Sequence, residues 1–135
     1  MKRSESRILT THAGSLPRLG QLVDLQLRKS RGETVDPAVL GEATRQATRR
    51  AVARQLECGI DVGNDGEQPR ESFVTYVRYR MSGFAGESRR PPVKDLVTDC
   101  GFDTSTGFGK VAEEVVWEKL RALRAGADLA TTRLF

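Results

Sequence analysis

Two acidic side chains, Asp65 and Glu67, lie in a polar turn that directly follows a short apolar run at residues 59–62. The run is rich in β-branched residues, which favours a buried strand, and the turn contains strand-breaking residues: Gly63, Gly66 and Pro69. A carboxylate just past the carboxyl end of such a strand is where α/β enzymes hold their substrates. It can bind an ammonium group by a charge-assisted hydrogen bond, although the same acids could instead cap the next helix or turn.

A second candidate is Cys100, which follows a β-prone run at residues 96–99 and opens a glycine-rich loop. A thiolate there could ligate a metal or act as a nucleophile, whereas the alternative is a small buried residue at a strand end. The other cysteine, Cys58, ends a predicted helix, and we expect it to fill the core. Two cysteines so far apart form neither a disulfide framework nor a CxxC metal pair.

A third set of candidates follows the β-prone run at residues 7–11. His12, the only histidine, suits a ligand or an acid–base group, and it equally suits a structural role bonded to nearby backbone. Gly14 and Ser15 offer backbone N–H groups that a ligand could approach closely. Arg18 could clamp a carboxylate or phosphate through its two parallel donors.

The elements that would position these residues alternate between strand and helix. Asp36 and Pro37 form a helix start, as N-cap and first helical residue, and Gly59 is placed to end that helix. The predicted helices cover residues 19–29, 36–58, 71–81 and 111–134. Because the ligand-competent residues each follow a predicted strand, the order indicates a parallel α/β fold.

The composition fits one ordinary soluble domain of 135 residues, with 38% hydrophobic and 30% charged residues. The chain has no apolar run near the roughly 20 residues that span a bilayer, and its start lacks the apolar core of a secretory signal. We therefore expect a cytoplasmic protein without membrane contact. The net charge is +4, but basic and acidic residues are interleaved, which favours a solvated surface over a nucleic-acid interface.

Three stretches together resemble the cobalamin-independent methionine synthase family. The resemblance is strongest to its single-barrel bacterial members, which are related to the epoxyalkane:coenzyme M transferases. Residues 7–18 are similar to the family's opening segment, and residues 59–70 to its second strand and acidic turn. Residues 99–102, together with 115–123, resemble its last strand and closing helix.

The resemblance implies a (β/α)8 barrel that uses zinc to activate a thiol, with homocysteine as the thiol and a methylated folate as the methyl donor. By position, the backbone and hydroxyl groups of Ala13, Gly14 and Ser15 would contact the amino-acid substrate, and Glu67 would hold its ammonium group. Cys100 would be one zinc ligand.

Other residues near these positions have no role that the resemblance fixes. His12 stands where typical members have a threonine, so its role stays open. Asp65 and Arg18 are further candidates for the same site.

The chain departs from the family in its middle. The family's His-x-Cys pair and central glutamate are absent, and a complete barrel needs about 250 residues. The sequence therefore predicts one domain, a partial barrel that lacks the central strands, with the first two βα units in residues 1–92 and the last in residues 93–135. We expect zinc binding and methyl transfer to be impaired. The alternative is a non-catalytic remnant or interaction module that self-associates through its open sheet edge.

Overall fold

The computed structural model describes residues 3–71, 80–83 and 111–135. In these ranges the chain forms three helices: α1 (Gly20–Ser30), α2 (Pro37–Glu57) and α3 (Glu113–Leu134). Helix α2 packs against both α1 and α3. None of the described helices has an apolar stretch long enough to cross a bilayer. The predicted helices at residues 19–29, 36–58 and 111–134 are confirmed, whereas the predictions for residues 71–81 and 96–99 fall largely outside the described residues.

Helix α2 begins and ends at the residues that the sequence indicated. The Asp36 carboxylate accepts a hydrogen bond from the Ala38 amide at 2.8 Å, and Pro37 is the first helical residue. Gly59 follows the helix with a φ of 77°, which favours glycine. A Cβ at Gly59 would lie 2.8 Å from Cγ of Arg124. The missing side chain therefore lets α3 approach the end of α2.

Two apolar clusters form the core of the described residues. One joins α1 to α2 and contains Leu22, Leu25, Ala43 and Ala47. The other joins the end of α2 to α3 and contains Leu16, Ala51, Cys58, Ile60, Val116, Trp117 and Leu120. Trp117 is the largest of these side chains, and the Arg54 guanidinium lies 5.3 Å from its ring centre. Cys58 fills the core as predicted.

The predicted fold class, a partial (β/α)8 barrel with parallel strands, is wrong for the described residues. They contain three helices and no strand. Where the first two strands were predicted, an isolated parallel bridge joins Thr11 and Val62. The two segments run side by side at this point, but they do not form a ladder.

Side chains occupy the backbone groups that a β-ladder would use. The Thr10 amide donates to the Asp61 carboxylate at 2.9 Å. The amides of Ile8 and Leu9 donate to hydroxyl groups, at 3.0 and 3.2 Å. In a ladder these amides would bond to the carbonyls of a neighbouring strand. The sequence pattern identified extended segments, but an extended segment becomes a strand only where another one pairs with it.

Candidate functional site

Two polar loops lie against each other: the first loop, residues 12–18, and the acidic turn, residues 63–70. The Leu16 amide donates to the Gly66 carbonyl at 3.0 Å. Gly66 has a φ of 59°, and a Cβ there would lie 2.8 Å from Cβ of Leu16. Because only glycine fits both the backbone angle and this gap, the loops can approach to backbone hydrogen-bonding distance.

Gln68 ties the two loops together from inside the protein. Its side chain is fully buried, and Nε2 donates to the carbonyls of Leu16, Gly66 and Pro17 at 3.0, 3.2 and 3.4 Å. Its backbone carbonyl accepts from Nε2 of Gln26, on α1, at 2.9 Å. Uncharged amide groups therefore hold the first loop, the acidic turn and α1 in one arrangement.

The backbone of the acidic turn is held in an unusual conformation at Glu67, whose φ is 58°. A left-handed conformation costs a non-glycine residue about 1–2 kcal/mol, so other contacts must maintain it. The Glu67 amide donates to the Asp65 carboxylate at 2.9 Å. Arg18 donates through Nη2 to the carbonyls of Glu67 and Arg70, at 3.2 and 3.1 Å. These contacts place Arg18 on the turn itself, and its role toward a substrate stays a prediction.

Asn64 and Gln55 connect the acidic turn to α2 and to the first loop. The Gln55 side chain accepts from the Asn64 amide at 3.1 Å and donates to its carbonyl at 2.8 Å. The Asn64 side chain in turn donates to the His12 carbonyl and accepts from the Gly66 amide. Neither residue was predicted from the sequence to belong to the site. The available signal was Gln55 itself, a polar residue four positions after Ala51 on the buried face of α2.

The first loop presents its candidate residues unequally. Ala13 is exposed, Gly14 is partly buried with a φ of 108°, and Ser15 is fully buried. Nε2 of His12 donates to the Gly14 carbonyl at 3.2 Å. Burial lowers the pKa of His12, so its imidazole is neutral at neutral pH. This contact corresponds to the structural role that the sequence left open for His12.

A buried carboxylate at the end of the acidic turn was not anticipated from the sequence. The Glu71 side chain is 7% exposed and lies 3.6 Å from Nζ of Lys29, on α1. Burial raises the pKa of Glu71. The ion pair joins Glu71, directly after the acidic turn, to the C-terminal turn of α1.

The described residues do not fit a zinc site. They contain no group of three or more His, Cys, Asp and Glu side chains that could hold a metal ion. Cys100, the predicted ligand, lies outside the described residues. Cys58 is buried and its Sγ donates to the Trp117 carbonyl at 3.5 Å. Because burial raises the pKa of the Cys58 thiol, this group remains a protonated core residue.

The part of the chain that contains the two loops is similar to known proteins. Residues 8–101 match the family model described as the catalytic domain of cobalamin-independent synthase. The 5-methyltetrahydropteroyltriglutamate–homocysteine methyltransferase of Shewanella oneidensis is 38% identical over 74 residues, which are 55% of this chain and 10% of that protein. The methionine synthase of Sulfolobus acidocaldarius is 39% identical over 75 residues, which are 56% of this chain and 22% of that protein.

The matched region therefore spans between a tenth and a quarter of each of these relatives. No solved structure matches the chain. The family model covers more than half of the chain, including the first loop and the acidic turn. The chain thus belongs to the cobalamin-independent methionine synthase family, as the sequence resemblance indicated.

Proposed function

We propose that the first loop and the acidic turn bind the amino-acid end of a thiol substrate, homocysteine. In this proposal they form one part of a methyl-transfer site whose methyl donor is a methylated folate. The name of the Shewanella relative includes both compounds. The observation that carries the proposal is the bond from the Leu16 amide to the Gly66 carbonyl. It keeps Gly14 and Glu67 on adjoining loops, as the two ends of a small zwitterionic ligand require.

Each candidate residue has a distinct part in this proposal. The Glu67 carboxylate, on a partly exposed residue, binds the substrate ammonium group, and Asp65 holds the Glu67 backbone in position. The N–H groups around Ala13 and Gly14 bind the substrate carboxylate. Ser15 has no exposed surface, so a contact between its hydroxyl group and the substrate requires the first loop to move.

Zinc is implied by the family, but it has no step in the proposed chemistry. Cys100 supplies one thiolate, and the described residues supply no cluster of three donors, whereas zinc sites use three or four protein ligands. We expect this chain alone to bind zinc weakly and to transfer methyl groups poorly, in the cytoplasm or in vitro. Stoichiometric zinc that survives dialysis against a mild chelator would contradict this part of the proposal.

Calorimetric titration tests the substrate site directly. Homocysteine should bind the wild-type chain, and Glu67→Gln should weaken that binding by about tenfold or more, because a charge-assisted hydrogen bond contributes roughly 1.5–3 kcal/mol. The matched ligand is 4-mercaptobutyrate, which lacks the amino group. It should bind the wild-type chain and the Glu67→Gln variant with equal, weaker affinity.

Glu114→Gln is the matched control variant, because Glu114 is an exposed acid on α3 and lies in neither loop. It should leave homocysteine binding unchanged. The proposal is wrong if the wild-type chain does not bind homocysteine, or if Glu67→Gln and Glu114→Gln have the same effect.

The second candidate is a non-catalytic module that associates with its own copies. Exposed apolar side chains along α3 favour it, since Leu123, Leu129 and Leu134 are 46%, 70% and 71% exposed. Sedimentation velocity over a range of protein concentrations distinguishes this candidate, because a chain that stays monomeric throughout excludes it.

A further inference from the structure

A single carboxylate, Asp61, joins three separate parts of the chain. Its side chain is 9% exposed and accepts hydrogen bonds from the Thr10 amide at 2.9 Å and the Thr10 hydroxyl at 3.1 Å. Nη1 of Arg124, on α3, donates to the same oxygen at 2.7 Å. Arg7 forms an ion pair with the other oxygen. Asp61 therefore binds two arginines as well as the amide and the hydroxyl group of Thr10, and so connects the N-terminal segment to α3.

Helix α3 contacts the N-terminal segment through the same group of residues. The Arg124 side chain crosses the space that a Cβ of Gly59 would fill, and Nη1 also donates to the Ile8 carbonyl at 3.4 Å. About two helical turns further on, the Thr131 hydroxyl accepts from the Ile8 amide at 3.0 Å. Both backbone groups of Ile8 are thus bonded to side chains of α3.

Asp61 is also part of the backbone contact that leads into the two loops. The amides of Asp61 and Val62 both donate to the Thr10 carbonyl at 3.1 Å. The Thr11 hydroxyl donates to the Val62 carbonyl at 2.8 Å. The first loop begins directly after Thr11, and the acidic turn begins directly after Val62. The relative position of the two loops is therefore set where Asp61 holds Thr10.

We propose that Asp61 is a positioning residue that couples the docking of α3 to the alignment of the first loop with the acidic turn. This proposal rests on the proposed function only because it treats the two loops as the ligand-binding site. When the carboxylate binds Arg124 and Thr10 together, α3 and the N-terminal segment hold each other in place. When the Asp61 charge is removed, Arg124, whose side chain is only 13% exposed, loses its ion-pair partner on the buried side. The loops then lose the contact between Asp61 and Thr10 that fixes their relative position.

Hydrogen exchange followed by NMR tests the coupling in the whole chain, without any ligand. In Asp61→Asn, the amides of Val62 and Leu16 should exchange faster by about tenfold or more, while an α2 amide such as Ala43 changes by less than about twofold. The Leu16 amide is informative because it bonds to the acidic turn and does not touch Asp61. Asp128→Asn is the matched control, since Asp128 binds Arg124 from the solvent side and is 65% exposed.

The outcomes separate coupling from a purely local or purely global role. The proposal is overturned if Leu16 stays protected in Asp61→Asn, if Ala43 exchanges faster to the same extent, or if Asp128→Asn has the same effect. Should Asp61→Asn fail to fold, Arg124→Gln answers the same question, because it leaves the Asp61–Thr10 bonds in place. It should also speed exchange at Leu16, and unchanged exchange there would exclude the coupling. Absence of homocysteine binding would reject the proposed function without affecting this result.

Discussion

The two loops and α3 are attached to the same part of the molecule by different kinds of contact. The first loop and the acidic turn are joined by the amide groups of Gln68 and Asn64 and by the Arg18 guanidinium, none of which changes its charge in the ordinary pH range. Helix α3 is joined to the neighbouring segments by a charged group, through Asp61 and Arg124. Amide contacts do not depend on pH, whereas the carboxylate contact does. Acidification should therefore weaken the contact of the helix directly, whereas it should reach the loops only through Asp61.

The largest effect is expected from Gln68→Glu. It places a carboxylate where an amide nitrogen now faces three carbonyl oxygens, and a buried charge without donors costs about 3 kcal/mol or more. Urea unfolding should show this loss at neutral pH and a smaller loss at acidic pH, where a protonated Glu can donate one hydrogen bond. Gln21→Glu, at an exposed position on α1, is the control, and an equal loss in both variants would contradict the role assigned to Gln68.

A smaller effect is expected from Gly66→Ala, which tests the close approach of the loops without adding charge. The positive φ costs about 1 kcal/mol, and the new Cβ would collide with Leu16, for a total loss of roughly 2 kcal/mol. Gly20→Ala has nothing within 4 Å of the new Cβ and should not destabilise the chain. Equal unfolding free energies for Gly66→Ala and wild type would show that the loops can separate without cost.

The smallest effect concerns α3 and depends on pH. Hydrogen bonds from Arg7 and from the Thr10 amide hold the pKa of Asp61 well below its usual range. A carboxyl group whose pKa is lowered by folding stabilises the protein above its unfolded pKa, near pH 4. That stabilisation decreases as the pH falls toward the folded value. The free energy of unfolding of the wild type should therefore fall with acidification below about pH 4, and more steeply than in Asp61→Asn.

Parallel pH profiles for the two proteins would contradict this account of the charged contact. High salt should reduce the difference in unfolding free energy between the wild type and Asp61→Asn near neutral pH. The reason is that Arg7 is well exposed, so salt screens its ion pair with Asp61.

The helices could be predicted because their signals are local. Asp36, Pro37 and Gly59 mark the ends of α2 by their own backbone preferences, and the structure uses all three as expected. The buried face of α2 is harder to predict from the sequence, since Leu56 is 65% exposed and the polar Gln55 is fully buried. The buried positions of α2 recur every four residues, at Ala43, Ala47, Ala51 and Gln55. The last of them is polar, so apolar residue type does not reveal it.

The strands could not be predicted in the same way, because pairing depends on groups distant in sequence. The β-prone run at residues 7–11 indicates an extended segment, and nothing local shows that Thr131 and Asp61 will bind its amides. The site shows the same limit. Glu67 and Gly14 are candidates by residue type alone and stay predictions, whereas the contacts of Gln68 became visible only when three carbonyl oxygens were found around one nitrogen.

Trp117, the single indole of the chain, gives the protein an intrinsic fluorophore at one defined contact. It is 1% exposed, lies beneath the Arg54 guanidinium, and joins α2 to α3. Its emission should therefore shift to longer wavelength when α3 leaves α2. Detachment of the helix can thus be followed optically in the unlabelled protein.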